Sequence, residues 1–284
     1  MAGRFSRSLD LAKASWSVVR ADKELLLLPV LSVAALILIV GSLAVPVAVL
    51  GGFTSGAAAT GEPSSGAMLG ALLFYVVTYF ITLFFNTALV GAAMIRMDGG
   101  NPRLADGLRI AWDRKGRIFG YACIAATVGV LLRAIEDRVG WIGQIVVKLI
   151  GVGWALATFL VVPVIVTRDV GPIEAVKESA DLLRRTWGEN LIGNVGLGLV
   201  FGVAYIALVV LGVFLAVLAA QAGSVVLIGL VILVGVIALF ALSALQATMQ
   251  GVYSAALYRY ATEHETPLPG FGPELLSHAF GPKK

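Results

Sequence analysis

Long apolar runs separated by short charged segments dominate this chain. From Asn190 to Tyr258 the sequence contains no Lys, Arg, Asp or Glu, although a soluble domain carries roughly 25% charged residues. A run of that length is long enough for two membrane-spanning helices. The segment Gln221-Ala222-Gly223-Ser224 supplies polar and glycine residues for a turn between them. The pattern therefore predicts a helical hairpin that crosses a membrane twice.

Six apolar segments of this kind occur along the chain. They cover approximately residues 25–50, 68–95, 118–132, 149–167, 191–220 and 225–257. Because a helix needs about 20 residues to cross the hydrocarbon of a bilayer, each segment is a candidate span. The third segment is the shortest, since Arg133, Glu136, Asp137 and Arg138 crowd its end.

These segments predict an all-α fold, namely a polytopic membrane bundle of six transmembrane helices. Residues 25–258 form the predicted membrane domain, and residues 1–24 form an amphipathic lead. Residues 259–284 form a tail rich in Pro and Gly, which we expect to leave the membrane as an extended segment.

Composition agrees with a membrane domain and excludes several other classes. Of the 284 residues, 59% are hydrophobic and 13% are charged. The single cysteine, Cys123, lies within an apolar run, which excludes a disulfide framework. His264 and His278 lie in the tail at a spacing that matches no metal site. The sequence therefore predicts neither a metal nor a cofactor.

The positive charges predict the orientation of the bundle. Of the 21 Lys and Arg residues, all but Arg133, Arg138 and Lys148 lie in the lead, the 96–117 and 168–190 loops or the tail. Positive residues concentrate on the cytoplasmic side of membrane proteins. We therefore expect a multi-pass protein of the cell membrane with both termini in the cytoplasm.

A similar amphipathic segment precedes each of the three predicted hairpins. The segments contain Lys13-Ala14-Ser15-Trp16, Arg109-Ile110-Ala111-Trp112 and Lys177-Glu178-Ser179-Ala180. Mixed apolar and charged residues of helical period are typical of helices that lie on a membrane surface. The chain can thus be divided into three units, each an interfacial helix followed by a hairpin. The alternative is that any hairpin flanked by positive residues has this appearance.

Several motifs resemble a family of uncharacterised prokaryotic six-span membrane proteins. They are Arg20-Ala21-Asp22-Lys23-Glu24-Leu25 running into Pro29, Val162-Pro163-Val164, Gly171-Pro172-Ile173-Glu174-Ala175, and Glu274-Leu275-Leu276-Ser277-His278-Ala279-Phe280. A looser similarity links the chain to the membrane domain of some glycerophosphodiester phosphodiesterases. The resemblance implies six spans and a cytoplasmic exit of the fourth, and it brings no known activity.

The spans offer little for catalysis. No Asp, Glu, Lys, Arg or His lies near the centre of a predicted span. Ionisable groups inside a bundle are costly and usually serve function, so their absence argues against a proton-coupled carrier, an intramembrane protease and a zinc enzyme. We therefore expect no enzymatic activity and assign no catalytic residue.

The deepest polar residues are amides and hydroxyls. They are Thr78, Thr82 and Asn86 in the second span, Asn194 in the fifth, and Gln246 and Gln250 in the sixth. One interpretation is a polar pathway or a headgroup pocket in the cytoplasmic half. The other is hydrogen bonding between helices, worth about 0.6–2 kcal/mol per contact.

Small residues in the fifth span allow close helix contact. Gly198 and Gly202 have the spacing of a dimer motif. They favour packing within the chain or, as the alternative, self-association into a homo-oligomer or binding to another membrane protein.

The 96–117 loop contains candidate contacts for lipid headgroups. These are Arg103, Arg109, Arg114, Lys115 and Arg117. Each basic group near anionic lipid contributes about 1 kcal/mol, and the alternative is a topology signal only. Interspersed acidic residues argue against a nucleic-acid partner, so membrane lipids are the predicted partners.

Two functions remain open from the sequence. The first is a non-catalytic membrane scaffold or accessory protein, for which a tightly filled bundle is expected. The second is a passive or lipid-handling permease, for which we expect a cavity that reaches Thr82, Asn86 and Gln246.

Overall fold

The structure is a computed structural model that describes residues 15–20, 22–50, 65–187 and 194–262. The regular elements in these ranges are helical, and residues 15–20 form a short lead helix. A 3₁₀ turn at Lys23–Leu26 leads into the first span. In chain order the other helices are α1 (Leu27–Leu50), α2 (Ser65–Met97), α3 (Leu104–Asp113), α4 (Lys115–Glu136), α5 (Trp141–Ala157), α6 (Val161–Thr167), α7 (Pro172–Trp187), α8 (Asn194–Gln221) and α9 (Val225–Thr262).

Six stretches of the described chain are long and apolar enough to cross a membrane. They are Glu24–Ser42, Leu72–Met97, Lys115–Glu136, Trp141–Thr167, Val200–Gln221 and Val225–Thr262. The predicted fold class is confirmed, and the chain has the features of a multi-pass membrane protein. The predicted tail at 263–284 and most of the lead at 1–14 lie outside the described residues.

The third and fourth spans differ in extent from their predicted segments. The third extends over Lys115–Glu136 and is therefore long enough to cross. The fourth begins at Trp141 rather than near residue 149 and includes Lys148. The Lys148 ammonium lies 3.7 Å from a carboxylate oxygen of Glu136, so this cation in the middle of α5 is paired with the acidic residue at which α4 ends.

One end of the bundle carries a set of charged contacts and is named here the charged end. It is where α2, α6 and α9 end and α4 begins. Its contacts are the ion pairs Arg117–Asp169, Arg168–Glu178 and Arg259–Asp98, and the bond from Arg114 to the Ile165 carbonyl. Exposed ion pairs are individually weak, at about 0–1 kcal/mol. They position the connecting segments more than they stabilise the fold.

The buried core lies towards the charged end. The largest side chains with almost no exposed surface include Leu25, Leu28, Leu89, Ile118, Leu160, Ile165 and Leu257. By contrast, α8 packs mainly on α9 and leaves apolar side chains such as Ile206 and Phe214 about 60% exposed or more. Lipid is as apolar as these side chains, so such a surface is stable only in a bilayer.

Two close approaches fix α3 against the bundle. A Cβ on Gly107 would lie 2.6 Å from the carbonyl oxygen of Ala88 on α2, so glycine is what lets α3 lie directly on that helix. The Leu104 N–H donates to Oε2 of Glu24, 3.0 Å away. A carboxylate at this position satisfies a free amide at the start of α3 and matches the helix dipole.

The fourth span is interrupted between α5 and α6, and a side chain of α7 forms hydrogen bonds with the backbone on both sides of the interruption. The Ser179 hydroxyl donates to the Ala157 carbonyl oxygen at 2.7 Å and accepts from the Leu160 N–H at 3.0 Å. Ala175, Ser179 and Leu183 are buried at helical spacing along α7. The amphipathic segment therefore packs into the bundle through this stripe.

The threefold sequence pattern has a structural counterpart at one position. The third residue of each predicted quartet is Ser15, Ala111 or Ser179, and each has 0% of its surface exposed. The tryptophans that follow the first two, Trp16 and Trp112, are 44% and 61% exposed. Each amphipathic segment thus turns the same position inwards.

The last hairpin turns where the sequence predicts it. α8 ends at Gln221 and α9 begins at Val225, and Gly223 between them has a φ of +68°. That backbone conformation favours glycine. Intrachain packing of Gly198 and Gly202 is not observed, because no described atom lies within 4 Å of a Cβ built on either. Self-association through them stays a prediction.

We expect Ser179→Ala to destabilise the protein by about 1–3 kcal/mol, because it leaves the Leu160 N–H without its partner in a water-poor environment. Thermal unfolding of the purified protein in detergent measures this loss. Ser42→Ala is the control, because the exposed Ser42 hydroxyl bonds only to the nearby Ile39 carbonyl among described residues. Equal melting temperatures for the two variants would contradict the assigned role of Ser179.

Candidate functional site

A cavity of about 510 Å³ lies between spans one, two, three, four and six. Small-molecule sites in proteins occupy about 300–1,000 Å³. Its apolar walls include Val33, Leu36, Leu83, Phe85, Leu89, Phe159, Val162 and Phe240. Its polar lining consists of Ser32, Thr82, Asn86, Tyr121, Thr158, Ser243, Gln250 and Ser254.

Four hydroxyls of the lining are satisfied by their own helices. Thr82, Thr158, Ser243 and Ser254 each donate to a backbone carbonyl three or four residues earlier, at 2.8–2.9 Å. Such bonds cancel the cost of placing a hydroxyl in an apolar environment. These groups can still accept a hydrogen bond from a ligand, because each oxygen keeps acceptor capacity.

The two amides of the cavity have no such partner. Neither Asn86 nor Gln250 makes a hydrogen bond to any residue in the described part of the chain. A primary amide offers two donors and an acceptor with two lone pairs. Asn86 is half-buried and Gln250 is exposed on the open side of the cavity. These amides are therefore the groups most suited to hold a polar ligand atom.

Both amides lie within membrane-spanning helices. Asn86 is 12 residues from Asp98 along α2, and Gln250 is nine residues from Arg259 along α9. At 1.5 Å per residue, they lie about 18 and 14 Å along their helices from that ion pair. Phe84, two residues from Asn86, contacts the Trp112 ring beside the start of α4. The polar part of the cavity is thus close to the level at which the third span begins.

The cavity opens along α9. Its lining residues Ser243, Ala247 and Gln250 are exposed, and Phe240 is 36% exposed. These positions follow one another at helical spacing on a single face of α9. Among described residues, α1 is the neighbour across this opening, and it makes few contacts with α9. Access from the side of the bundle is therefore available.

No carboxylate, amine, imidazole or thiol belongs to the described lining. The surroundings offer neither a strong base to activate a hydroxyl nor a charge to pair with an ion. In the described ranges, no cluster of three His, Cys, Asp or Glu residues is placed to hold a metal. What the site can do chemically is form hydrogen bonds and enclose apolar groups.

The structure brings together three of the six predicted polar residues. Thr82, Asn86 and Gln250 line the cavity. Thr78 lies one turn away, where its carbonyl accepts the Thr82 hydroxyl. Gln246 is not part of the lining, since the cavity face of α9 runs through Ser243, Ala247, Gln250 and Ser254. Asn194 begins α8, and its side chain lies outside the described part.

The residues that sequence reasoning missed are hydroxyls on other spans. Ser32, Tyr121 and Thr158 come from α1, α4 and the break after α5. Their spans contain other polar residues, such as Ser42, Thr127 and Gln144, and no regular spacing marks the cavity residues. The stripe on α9 is different, because Ser243, Gln250 and Ser254 recur at helical intervals and this signal was present in the sequence.

The five basic residues of the predicted headgroup set have different environments. Arg114 Nε donates to the Ile165 carbonyl oxygen at 2.8 Å, and Arg117 pairs with Asp169. Lys115 lies with its ammonium 4.1 Å from the Trp112 ring centroid. Arg103 and Arg109 are exposed on the surface of the loop and α3. Three of the five thus contact the protein itself, Lys115 through the face of an aromatic ring, and Arg103 and Arg109 face outwards.

Burial lowers the pKa of Arg114, and the nearby charge of Arg117 lowers it further, while Asp113 opposes the change. Arginine remains charged at any physiological pH. The shift therefore marks Arg114 as a partly desolvated group that bonds to the end of α6.

A second pocket of about 590 Å³ lies at the other end of the bundle. It is lined by Tyr75, Tyr79, Gly129, Leu132, Arg133, Glu136, Asp137, Val147, Lys148 and Gly151. It shares no lining residue with the cavity. The cavity and this pocket are therefore lined by different parts of the described spans.

Comparison with known proteins gives a family and no activity. No curated protein matches the chain. A family model described as "Family of unknown function (DUF6159)" matches residues 66–268, which include five of the six spans and the cavity lining apart from its four residues on α1. The chain therefore belongs to this family of unknown function, DUF6159.

Proposed function

We propose that this protein binds an uncharged amphiphilic lipid in the cavity and handles it within the membrane. The observation that carries this proposal is the pair of amides, Asn86 and Gln250, in a mostly apolar cavity without partners in the described chain. An amphiphile has both a polar and an apolar part, which match the two kinds of lining in the cavity. Its polar head bonds to the amides, and its chain fills the apolar remainder.

Because the described lining carries no charge, we expect the polar head of the ligand to be uncharged as well. A buried ion without a partner is very costly, so a phosphate or carboxylate head is disfavoured here. Hydroxyls, esters and amides suit the site, because the two amides can donate to them and accept from them. A monoacylglycerol is a ligand of this class.

The opening of the cavity supports entry from the bilayer. Its rim residues Ser243, Ala247 and Gln250 are exposed on one face of the membrane-spanning helix α9. A lipid reaches such a site without crossing water. A membrane scaffold, the other function predicted from the sequence, has no need for an internal cavity, so the geometry favours lipid handling.

Handling a lipid is supported better than a continuous permeation path. The cavity and the pocket at the other end share no lining residue. We further propose that the protein acts by binding and not by chemistry, and that the arginine-rich charged end faces the cytoplasm of the cell, as the distribution of Lys and Arg favours.

Filling the cavity should abolish binding of a neutral lipid. Ala247 lines the cavity on its open side, so Ala247→Phe places a ring in the space that a ligand needs. We expect 1-monoolein to raise the melting temperature of the wild-type protein in detergent and to leave that of the variant unchanged, because a ligand stabilises only a state that it binds.

The matched control is Ala241→Phe, which adds the same ring at an exposed position of α9 that does not line the cavity. It should respond to monoolein like the wild type. Oleate, with a similar chain and an anionic head, should stabilise the wild type less than monoolein does. A wild-type protein that monoolein does not stabilise would refute the proposal.

Replacing a cavity amide separates binding from packing. Asn86→Leu removes the hydrogen-bonding group and keeps a similar volume, so we expect monoolein to bind about three- to tenfold more weakly. Without a ligand, the melting temperature should not fall, since the amide loses no partner among described residues.

Thr78→Val is the control on the same helix, because Thr78 does not line the cavity. It should leave monoolein affinity unchanged. A marked fall in the melting temperature of ligand-free Asn86→Leu would instead indicate that Asn86 serves helix packing.

A further inference from the structure

A second apolar space lies outside the cavity, on the surface formed by spans one, two and three. This groove has a volume of about 520 Å³. Its lining is Ala35, Ile39, Phe80, Ile81, Phe84, Phe85, Trp112, Lys115, Gly116 and Phe119. Among the described residues, Lys115 is the only charged one in this lining.

Aromatic rings form the wall of the groove. Phe80 and Phe119 contact edge to face with centroids 5.9 Å apart, and Phe84 and Trp112 do so at 6.5 Å. Phe80 lies about one helical turn from Phe84 along α2. Phe119 likewise lies about one turn along α4 from Lys115, which follows Trp112 closely in the chain. The rings thus form a continuous strip that begins at the junction of α3 and α4.

The groove is short along each helix. Its lining extends from Ala35 to Ile39 on α1, from Phe80 to Phe85 on α2 and from Lys115 to Phe119 on α4. At 1.5 Å per residue, each of these stretches is about 6–8 Å long. The groove therefore holds the part of an acyl chain that lies next to the headgroup.

A cation lies at the mouth of the groove. The Lys115 ammonium is 4.1 Å from the Trp112 ring centroid, and among described residues no carboxylate pairs with it. Asp113 is exposed on the same turn but does not line the groove. The neighbouring Arg114 and Arg117 bond to Ile165 and Asp169, so Lys115 is the basic group of this turn that remains available to a ligand.

We propose that this groove binds one anionic phospholipid, with an acyl chain along the Phe80–Phe84–Phe119 strip and the phosphate at Lys115. Tryptophan and lysine at a helix end match the position of lipid headgroups. A purely apolar partner, such as another helix, would leave the Lys115 charge without a counterpart. This site differs from the cavity in its location and in the charge of the head that it selects.

The test uses the full-length protein in detergent and native mass spectrometry. The protein is titrated with phosphatidylglycerol and, separately, with phosphatidylcholine carrying the same acyl chains. The wild type should retain phosphatidylglycerol more strongly. Lys115→Gln should weaken phosphatidylglycerol binding about fivefold, since one basic group near anionic lipid contributes about 1 kcal/mol, and should change phosphatidylcholine binding little.

Arg184→Gln is the matched control, because Arg184 is an exposed basic residue of α7 away from the groove. It should retain wild-type affinity for phosphatidylglycerol. If it lowers binding as much as Lys115→Gln does, the effect comes from net charge and the proposed site is wrong.

Gly116→Leu tests the groove independently of charge. No described atom lies within 4 Å of a Cβ at this position, and leucine favours a helix over glycine, so the variant should fold with an unchanged melting temperature. Its side chain enters the groove and should remove the preferential retention of phosphatidylglycerol. Unchanged lipid binding, or a changed oligomeric mass in place of lost lipid, would overturn the proposal.

Discussion

In a bilayer, every backbone polar group must find its partner within the protein, and the fourth span is where this constraint acts most strongly. The span is interrupted between Ala157 and Val161, so the short helix α6 has two unprotected ends inside or near the membrane. Ser179 of α7 bonds to both sides of the break, and Arg114 donates to the Ile165 carbonyl near the other end. Side chains from two amphipathic segments therefore complete α6, which explains why those segments pack into the bundle as well as lying at its edge.

The interrupted span also makes room for the cavity. Thr158 and Phe159 in the break and Val162 in α6 all contribute to its lining. A continuous helix would have projected other side chains into this space. The Thr158 hydroxyl is held by the Trp154 carbonyl at 2.8 Å, so the break places a satisfied polar group beside the two unsatisfied amides. The interruption of the fourth span therefore accounts both for the hydrogen bonds from Ser179 and for part of the shape of the cavity.

The sequence predicts the spans well, because lipid imposes a simple rule on length and polarity that each segment obeys independently. The same rule predicts the turn between the fifth and sixth spans, where Gly223 lies. The site is only half predictable. Thr82, Asn86 and Gln250 are visible as deep polar residues, but the choice between Gln246 and Gln250 depends on the rotation of α9 against α2. The roles of Ser179 and Glu24 depend on contacts across 22 and 80 residues of sequence, and no local pattern encodes those distances.

Phe85 lies between the two spaces that we propose as lipid sites. It is part of the lining of both the cavity and the groove, and α1 contributes Leu36 to the cavity and Ile39 to the groove. The described lining of the cavity carries no charge, whereas the groove includes Lys115. Under the proposed assignment, an anionic lipid keeps its phosphate with Lys115, because moving the charge past Phe85 would leave it unpaired in an apolar environment. A neutral lipid would meet no such penalty. The cost of burying charge would then be enough to distinguish the two proposed classes of ligand, without a specific contact to either acyl chain.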